Sequence, residues 1–363
     1  MQQSSPEQRP ASLSTSTSTN TNTSAKKSWQ HEPLPQAREV AAGIWKITLP
    51  IPFPLRTVNL YILVGKDGWA MLDAGMGMPD ARIAFQEGLQ RAGVSLDGLQ
   101  TIVLSHDHPD HIGLSGELQG RTGATVYMHP IDANSMNLIW HDLRPERFAT
   151  VSEFFRQHGM PGGQPWFSQA RPDQLKEIMS VPPHEAITLV EDGQTIELVG
   201  EQYRVIWTPG HSDGHICLFR ERDGVFLAAD HVLPRITPNV GLYSEYDRSN
   251  PLGDYLDSLR KVEHLPASIV LPGHGEPFTD LAGRVHEIIE HHEQRETEIL
   301  HLLDSRPQHA YQLAEQLFGQ RLKSSEAKRM AVAETLSHLE YLRFGGHVEQ
   351  QKTSDGVILY AAV

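Results

Sequence analysis

The chain has 363 residues, 39% of them hydrophobic and 21% charged, with a formal charge of −14 and a single cysteine. That composition fits a globular protein with one large domain and an appendage, and its acidic balance argues against a surface spread with phosphate-neutralising cations. The lone Cys217 excludes an internal disulfide and suits a reducing compartment. No run approaches the roughly 20 apolar residues of a membrane-spanning helix, and no apolar leader opens the chain, so a cytoplasmic protein with no membrane partner is expected.

Residues 1–30 are mostly Ser, Thr, Asn, Gln and Pro. With so little to bury, this segment cannot offset the entropy of ordering it, and a disordered polar tail is expected. Structure is predicted to begin near Ala41, with a strand over Gly43–Leu49 and a hairpin of Asn59–Val64 and Trp69–Leu72 around Gly65-Lys-Asp-Gly68. The hairpin runs into Asp73-Ala-Gly-Met-Gly77, a carboxylate followed by a glycine-rich turn. Three strands before any helix, with no GxGxxG after the first, exclude the doubly wound nucleotide-binding pattern. Pro79–Ala92 reads as a helix with Ala84, Leu89 and Ala92 turned inward.

A β-branched run, Thr101–Leu104, then reads as a buried strand that ends in Ser105-His-Asp-His-Pro-Asp-His111. His106, His108, Asp110 and His111 fall within six consecutive residues, a density that packing does not require. Imidazole nitrogens and carboxylates are the donors a borderline divalent ion such as zinc prefers. A helix opening at Ile112-Gly-Leu114 would turn its amide end toward this loop. Ala124–Met128 is a further strand, and His129, before a proline at its end, reads as structural.

Across residues 131–183 the pattern changes: Trp140, Phe148, Phe154, Phe155, Trp166 and Phe167 are interleaved with Gly and Pro. The segment reads as an inserted pair of short helices joined through Gly159–Gly163. It would either pack on the sheet or form a lid that excludes water and accepts an apolar substrate group. Strands resume at Ile187–Val190, Thr195–Val199 and Tyr203–Thr208, the last ending in Pro209-Gly-His-Ser212. Ile216–Arg220, with Cys217 as a small apolar filler, and Val225–Ala229 form a hairpin ending in Asp230; Ser268–Leu271 ends in Pro272-Gly-His-Gly275. Each strand delivers one donor at its end, as expected of a metal site on the rim of packed sheets.

Taken in order, Leu72-Asp-Ala-Gly75, Ser105-His-Asp-His-Pro-Asp-His111, Pro209-Gly-His-Ser212, Ala229-Asp230 and Pro272-Gly-His-Gly275 resemble the metallo-β-lactamase superfamily of hydrolases over roughly Ala41–Asp280. The resemblance implies an α/β (α+β) architecture, an αββα sandwich of two sheets back to back with helices outside. The hydrolase domain would cover residues 31–281, with the insertion at 131–183. His106, His108 and His211 would hold one divalent ion and Asp110, His111 and His274 a second, both zinc, with iron or manganese as alternatives. Asp230 would bridge them, and Asp73 would orient the site through a histidine N–H or the metal-bound water. Two ions about 3.5–4 Å apart can share a water, make it hydroxide near neutral pH and polarise a carbonyl or phosphoryl oxygen. Asp110 would orient that hydroxide or shuttle its proton. His108 stands where flavo-diiron oxidoreductases carry glutamate, which disfavours redox chemistry. Asp230 stands where a common group of β-lactamases has cysteine, which disfavours antibiotic hydrolysis.

Beyond the motifs, Arg284–Leu303, Gln308–Phe318 and Ser325–Leu342 read as helices, and His347–Gln351 with Val357–Ala361 as a hairpin. Residues 282–363 thereby resemble the winged-helix tail on one branch of these hydrolases, which includes an endoribonuclease. From Ala282 onward there are 9 Lys+Arg against 12 Asp+Glu, whereas a nucleic-acid grip should be basic. Packing on the hydrolase, cover of the cleft or a homodimer contact is expected instead.

The leading expectation is hydrolysis of a small-molecule ester, thioester or lactone, with Arg235 as a substrate contact and Tyr243 as an oxyanion donor. The alternatives are a metal-dependent endoribonuclease or phosphodiesterase, which the charge opposes, a β-lactamase-like enzyme, and a non-catalytic metal-binding regulator.

Overall fold

The computed structural model describes Met1 and residues 36–141, 145–161, 172–319 and 322–363. The expected tail beyond Met1, and Gly162, Gly163, Trp166 and Phe167 of the insertion, lie outside the described residues, as does the side chain of Phe148.

Seven strands form the first sheet in chain order: β1 (Arg38–Ala41), β2 (Ile44–Pro50), β3 (Thr57–Val64), β4 (Trp69–Leu72), β5 (Leu99–Val103), β6 (Thr125–Met128) and β7 (Ile187–Leu189). The pairs from β1 to β4 are antiparallel and those from β4 to β7 parallel. Connection length accounts for the switch. The Gly65–Gly68 turn closes a hairpin, whereas parallel neighbours need crossovers. These are supplied by α1 (Pro79–Ala92), by α2 (Pro109–Ile112) with α3 (Ser115–Thr122), and by the insertion. The insertion holds α4 (Pro130–Met136), a π-helical turn (Asn137–His141), α5 (Pro145–Gln157) and α6 (Pro172–Ile178).

The second sheet comprises β8 (Thr195–Leu198), β9 (Glu201–Trp207), β10 (Ile216–Arg220), β11 (Val225–Ala229) and β12 (Ile269–Pro272), ordered β12-β11-β10-β9-β8. Its β11–β12 pair is parallel and is joined through α7 (Pro251–Glu263). Sequence reading had no helix here, although Asn250-Pro251 is a start signal. The Asn250 side chain accepts the Gly253 N–H at 3.1 Å, and Pro251 needs no donor partner in the first turn.

The central strands are buried on both faces, and their period-2 alternation shows where each face goes. Tyr61, Leu63 and Leu72 of the first sheet pack against Val205, Leu218 and Leu227 of the second. On the outer face of the first sheet, Leu60, Ile62 and Met71 meet Phe85 and Leu89 of α1 and Leu118 of α3. On the outer face of the second, Ile206, Cys217, Phe219 and Phe226 meet Leu252, Tyr255 and Leu259 of α7. Each such fully buried aliphatic or aromatic side chain contributes about 1.5–3 kcal/mol. The result is the expected αββα sandwich. The inward face of α1 is Ala81, Phe85, Gly88 and Leu89, with Ala84 half-buried against the same core; of the expected Ala84, Leu89 and Ala92, only Ala92 falls outside it. At Gly88 the helix comes so close to β2 that a Cβ would stand 2.6 Å from Ile47, and this approach sets the rotation of α1.

The chain ends in α8 (Leu281–Leu303), α9 (Ala310–Phe318), α10 (Ser325–Phe344) and the hairpin β13 (Val348–Lys352) with β14 (Ile358–Ala362). Ile299, Leu313, Leu336, Leu339 and Tyr360 form their own core, which also takes in Phe155 and Met160 of the insertion. The other end of the insertion, with Ala133, Met136 and Met179, joins the core on the outer face of the first sheet. Phe155, fully buried among the C-terminal helices, is thus a packing residue.

Candidate metal centre

All seven expected ligand residues meet at one end of the sandwich, in the loops that follow strands or, for two of them, in a short helix. The β5 strand ends in the loop carrying His106 and His108, and α2 carries Asp110 and His111; the loop after β9 carries His211, that after β11 Asp230 and that after β12 His274. Their donor atoms fall into three overlapping sets: His106, His108 and His211; His106, His111 and Asp230; Asp110, His111 and His274. Within each set all the atoms lie within 4.8 Å of one another.

Four of the rings are held by their outward nitrogen, which leaves the other nitrogen for the centre. His106 Nδ1 lies 2.9 Å from Ser105 Oγ, and His111 Nδ1 lies 2.8 Å from Asp73 Oδ2. His211 Nδ1 donates to the Asn239 carbonyl at 2.8 Å, and His274 Nδ1 to the Thr57 carbonyl at 2.6 Å. In consequence His106 Nε2, His111 Nε2 and His211 Nε2, together with Asp230 Oδ1, are buried without a hydrogen-bond partner among the described residues. Orphaned buried polar atoms are costly unless a ligand satisfies them. A convergent set of imidazole nitrogens and carboxylate oxygens fits divalent metal, and the outward hydrogen bonds fix the ligating tautomer.

The electrostatics divide the rings between the two sets. Burial holds His106 and His108 well below the usual imidazole range, in the neutral form that ligates. At His111, burial would also lower the pKa, but Asp230, Asp73 and Asp110 outweigh it and push it well up. Burial would raise Asp230, yet His274 and His111 hold it well below the carboxylate range. The pocket concentrates negative charge that cations must balance.

Local backbone geometry places these groups. Asp73 has φ 62°, a left-handed conformation that Asp tolerates, which turns its carboxylate onto the Ser105 N–H at 2.8 Å, Ser105 Oγ at 2.9 Å and His111. Ala229 has φ 43° at a register shift between β11 and β12, a strained bulge of the kind that re-aims the next side chain, here Asp230. The His274 loop is tied to β3, where Tyr61 Oη and Asn59 Nδ2 donate to the Pro272 carbonyl at 2.7 and 3.0 Å.

Several of these residues escaped sequence reading. Asp132 of α4 accepts Ser212 Oγ and the Gly214 N–H, both at 2.6 Å, and so clamps the His211 loop. Asn239 and Thr57 act through backbone carbonyls, which no side-chain motif reports. His129 is structural, as expected: it is stacked on Trp207 with centroids 5.5 Å apart, and it caps α4. Of the two expected substrate contacts, Arg235 is exposed on the loop after Asp230. Tyr243 is half-buried, its hydroxyl donating to Asn239 Oδ1 and the Arg329 guanidinium lying 4.8 Å over its ring. In this arrangement its hydroxyl supports the Asn239 loop.

The family model for the metallo-beta-lactamase superfamily matches residues 54–274, and that for the metallo-beta-lactamase-like C-terminal domain matches residues 297–363. A metallo-beta-lactamase family protein from Thermus thermophilus, known from its crystal structure, superimposes with a TM-score of 0.78 at 36% identity, over 90% of this chain and 100% of that one. The probable metallo-hydrolase YqjP of Bacillus subtilis is 29% identical over 306 residues, 82% of this chain and 91% of its own. Atrochrysone carboxyl ACP thioesterase of Aspergillus fumigatus is 28% identical over 141 residues, 38% of this chain and 42% of its own. Fold, donor set and relatives define a metallo-hydrolase. The chain belongs to the metallo-beta-lactamase superfamily. Among the described residues, no helix is long and apolar enough to cross a membrane.

Proposed function

We propose that the protein is a binuclear metal-dependent hydrolase of a small-molecule ester, thioester or lactone. The observation that carries this reading is the position of Asp230 Oδ2, 3.2 Å from His274 Nε2, 3.5 Å from His211 Nε2 and 3.6 Å from His111 Nε2. One oxygen among rings of both ligand sets is what a shared ligand requires. His106, His108 and His211 would hold one ion and Asp110, His111 and His274 the other; zinc suits the donors best. Bound there, the ions would supply Lewis acidity toward a carbonyl oxygen and an activated water.

The chain's own residues supply the rest. Asp73 and the Asn239 and Thr57 carbonyls hold three rings in one tautomer, so that no reorganisation is needed during the reaction. Asp110, whose Oδ2 lies 3.6 Å from His274 Nε2 and faces the second ligand set, would have its other carboxylate oxygen to take a proton from the attacking water and return it to the leaving group. His108 and His211 are the partly exposed members of the first set, so substrate enters on their side.

An acyl substrate is supported by the thioesterase among the relatives and by the formal charge of −14, which repels polyanions. The C-terminal helices and hairpin, read as a winged-helix-like module, brace the hydrolase and do not grip nucleic acid. The test is a panel of thioesters, lactones, phosphodiesters and structured RNA on wild type and Asp110→Asn. Acyl hydrolysis that falls about 10²–10⁴-fold in the variant is expected. RNA cleavage lost in the variant, without acyl hydrolysis, would overturn the substrate assignment.

A further inference from the structure

The loop after Asp230 is stitched to α10 along successive turns of that helix. Asn239 Nδ2 donates to Glu334 Oε2 at 3.2 Å and to the Met330 carbonyl at 3.5 Å. The Leu242 N–H donates to the Ala333 carbonyl at 3.0 Å, and Ser337 Oγ to the Val240 carbonyl at 2.6 Å. Gly241 permits this approach, since a Cβ there would stand 3.0 Å from that of Ala333. Tyr243, which donates to Asn239 Oδ1, is in turn covered by Arg329 of α10. The other side of Asn239, its carbonyl, takes the proton of His211 Nδ1. A residue whose backbone orients a candidate ligand is therefore anchored by its side chain in the C-terminal domain.

We infer that α10 is a structural part of the metal centre, fixing the Asn239 carbonyl and through it the tautomer and direction of the His211 ring. The C-terminal domain then sets the metal affinity of the site that His211 shares with His106 and His108. The inference rests on the ligand assignment proposed above. Glu334 and Ser337 are positioning residues. They hold the loop in place, and no proton passes through Asn239, whose carbonyl and carboxamide are separate groups. The effect is selective, because His274 takes its orientation from Thr57, the first residue of β3, which α10 does not hold.

The test is zinc titration of the full-length chain against a competing chromophoric chelator, for wild type, Glu334→Ala, Glu334→Gln and Ser337→Ala, with far-ultraviolet circular dichroism recorded on each. Wild type is expected to bind two zinc ions. Glu334→Ala should weaken one of them about 10–100-fold and leave the other within about twofold, with helix content unchanged. Glu334→Gln, which keeps an acceptor for Asn239 Nδ2, should restore most of the affinity, and Ser337→Ala should weaken the same ion. Should Glu334→Ala fail to fold, Ser337→Ala alone decides. Unchanged affinity for both ions in the folded variants, or equal weakening of both with helix content intact, overturns the inference. A wild-type chain that binds fewer than two zinc ions overturns the ligand assignment, and this inference with it.

Discussion

Asp73 Oδ2 lies 2.8 Å from His111 Nδ1 while the same carboxylate accepts the N–H and hydroxyl of Ser105. One buried side chain thus orients a candidate ligand and pins the loop that carries two more. Asp73→Asn keeps the volume and tolerates the left-handed backbone, but its NH2 faces a donor where an oxygen stood. Zinc affinity is expected to fall about 10–100-fold. Chelator competition reads it, and wild-type affinity in the variant would contradict the orienting role.

Gly273 separates the Asp230 carboxylate from the β12 backbone. A Cβ at this position would stand 2.1 Å from Asp230 Oδ1 and 3.1 Å from His111 Cε1. Gly273→Ala should therefore displace Asp230 and cost both ions their shared ligand, with stability lowered by about 1–3 kcal/mol. Metal analysis of the variant after dialysis checks this, and retention of the wild-type metal content would show that the carboxylate is not held where a shared ligand must be.

Stability should fall on mild acidification, and the C-terminal core is one reason. Burial holds His158 and His338 down to about 4 each, against an ordinary value near 6.5 in the unfolded chain. Between those limits the unfolded state binds protons that the folded state refuses, so stability declines as pH drops from about 6.5 toward 4 and gains nothing above it. The slope is about 1.4 kcal/mol per pH unit for each histidine. His158 Nδ1 lies 3.3 Å from Tyr360 Oη, with the Phe154 ring beside it and no carboxylate against it among the described residues. Urea midpoints at pH 7.5, 5.5 and 4.5 should decrease, and His158→Phe should reduce the slope. A flat profile would contradict it.

The candidate centre was legible because its side-chain donors sit in contiguous runs at strand ends. His106, His108, Asp110 and His111 share one loop and the short helix that follows it, and His211, Asp230 and His274 each end an apolar run that the sandwich then gathers. Of what orients them, only Asp73 was legible, through the motif it stands in. The Asn239 and Thr57 carbonyls carry no residue-type signal, and the Asp132 clamp joins residues 80 and 82 positions apart. Tyr243, singled out for its proximity to Asp230, has its hydroxyl on Asn239, under Arg329 of α10, which comes from 86 residues further along the chain. The helix at Pro251–Glu263 had a visible cap in Asn250-Pro251; on α1 the expected Leu89 and Ala84 do face the core, and what was missed is the contact of Gly88 with Ile47, which a residue without a side chain does not announce.

The most direct test of the account is the metal content of the wild-type chain. Protein dialysed against excess zinc, freed of unbound ion and analysed for zinc per chain should hold two ions, and Asp230→Ala fewer than one. A wild-type value of one or less, or an Asp230→Ala chain that keeps both, would contradict the shared-carboxylate centre on which the proposed hydrolysis depends.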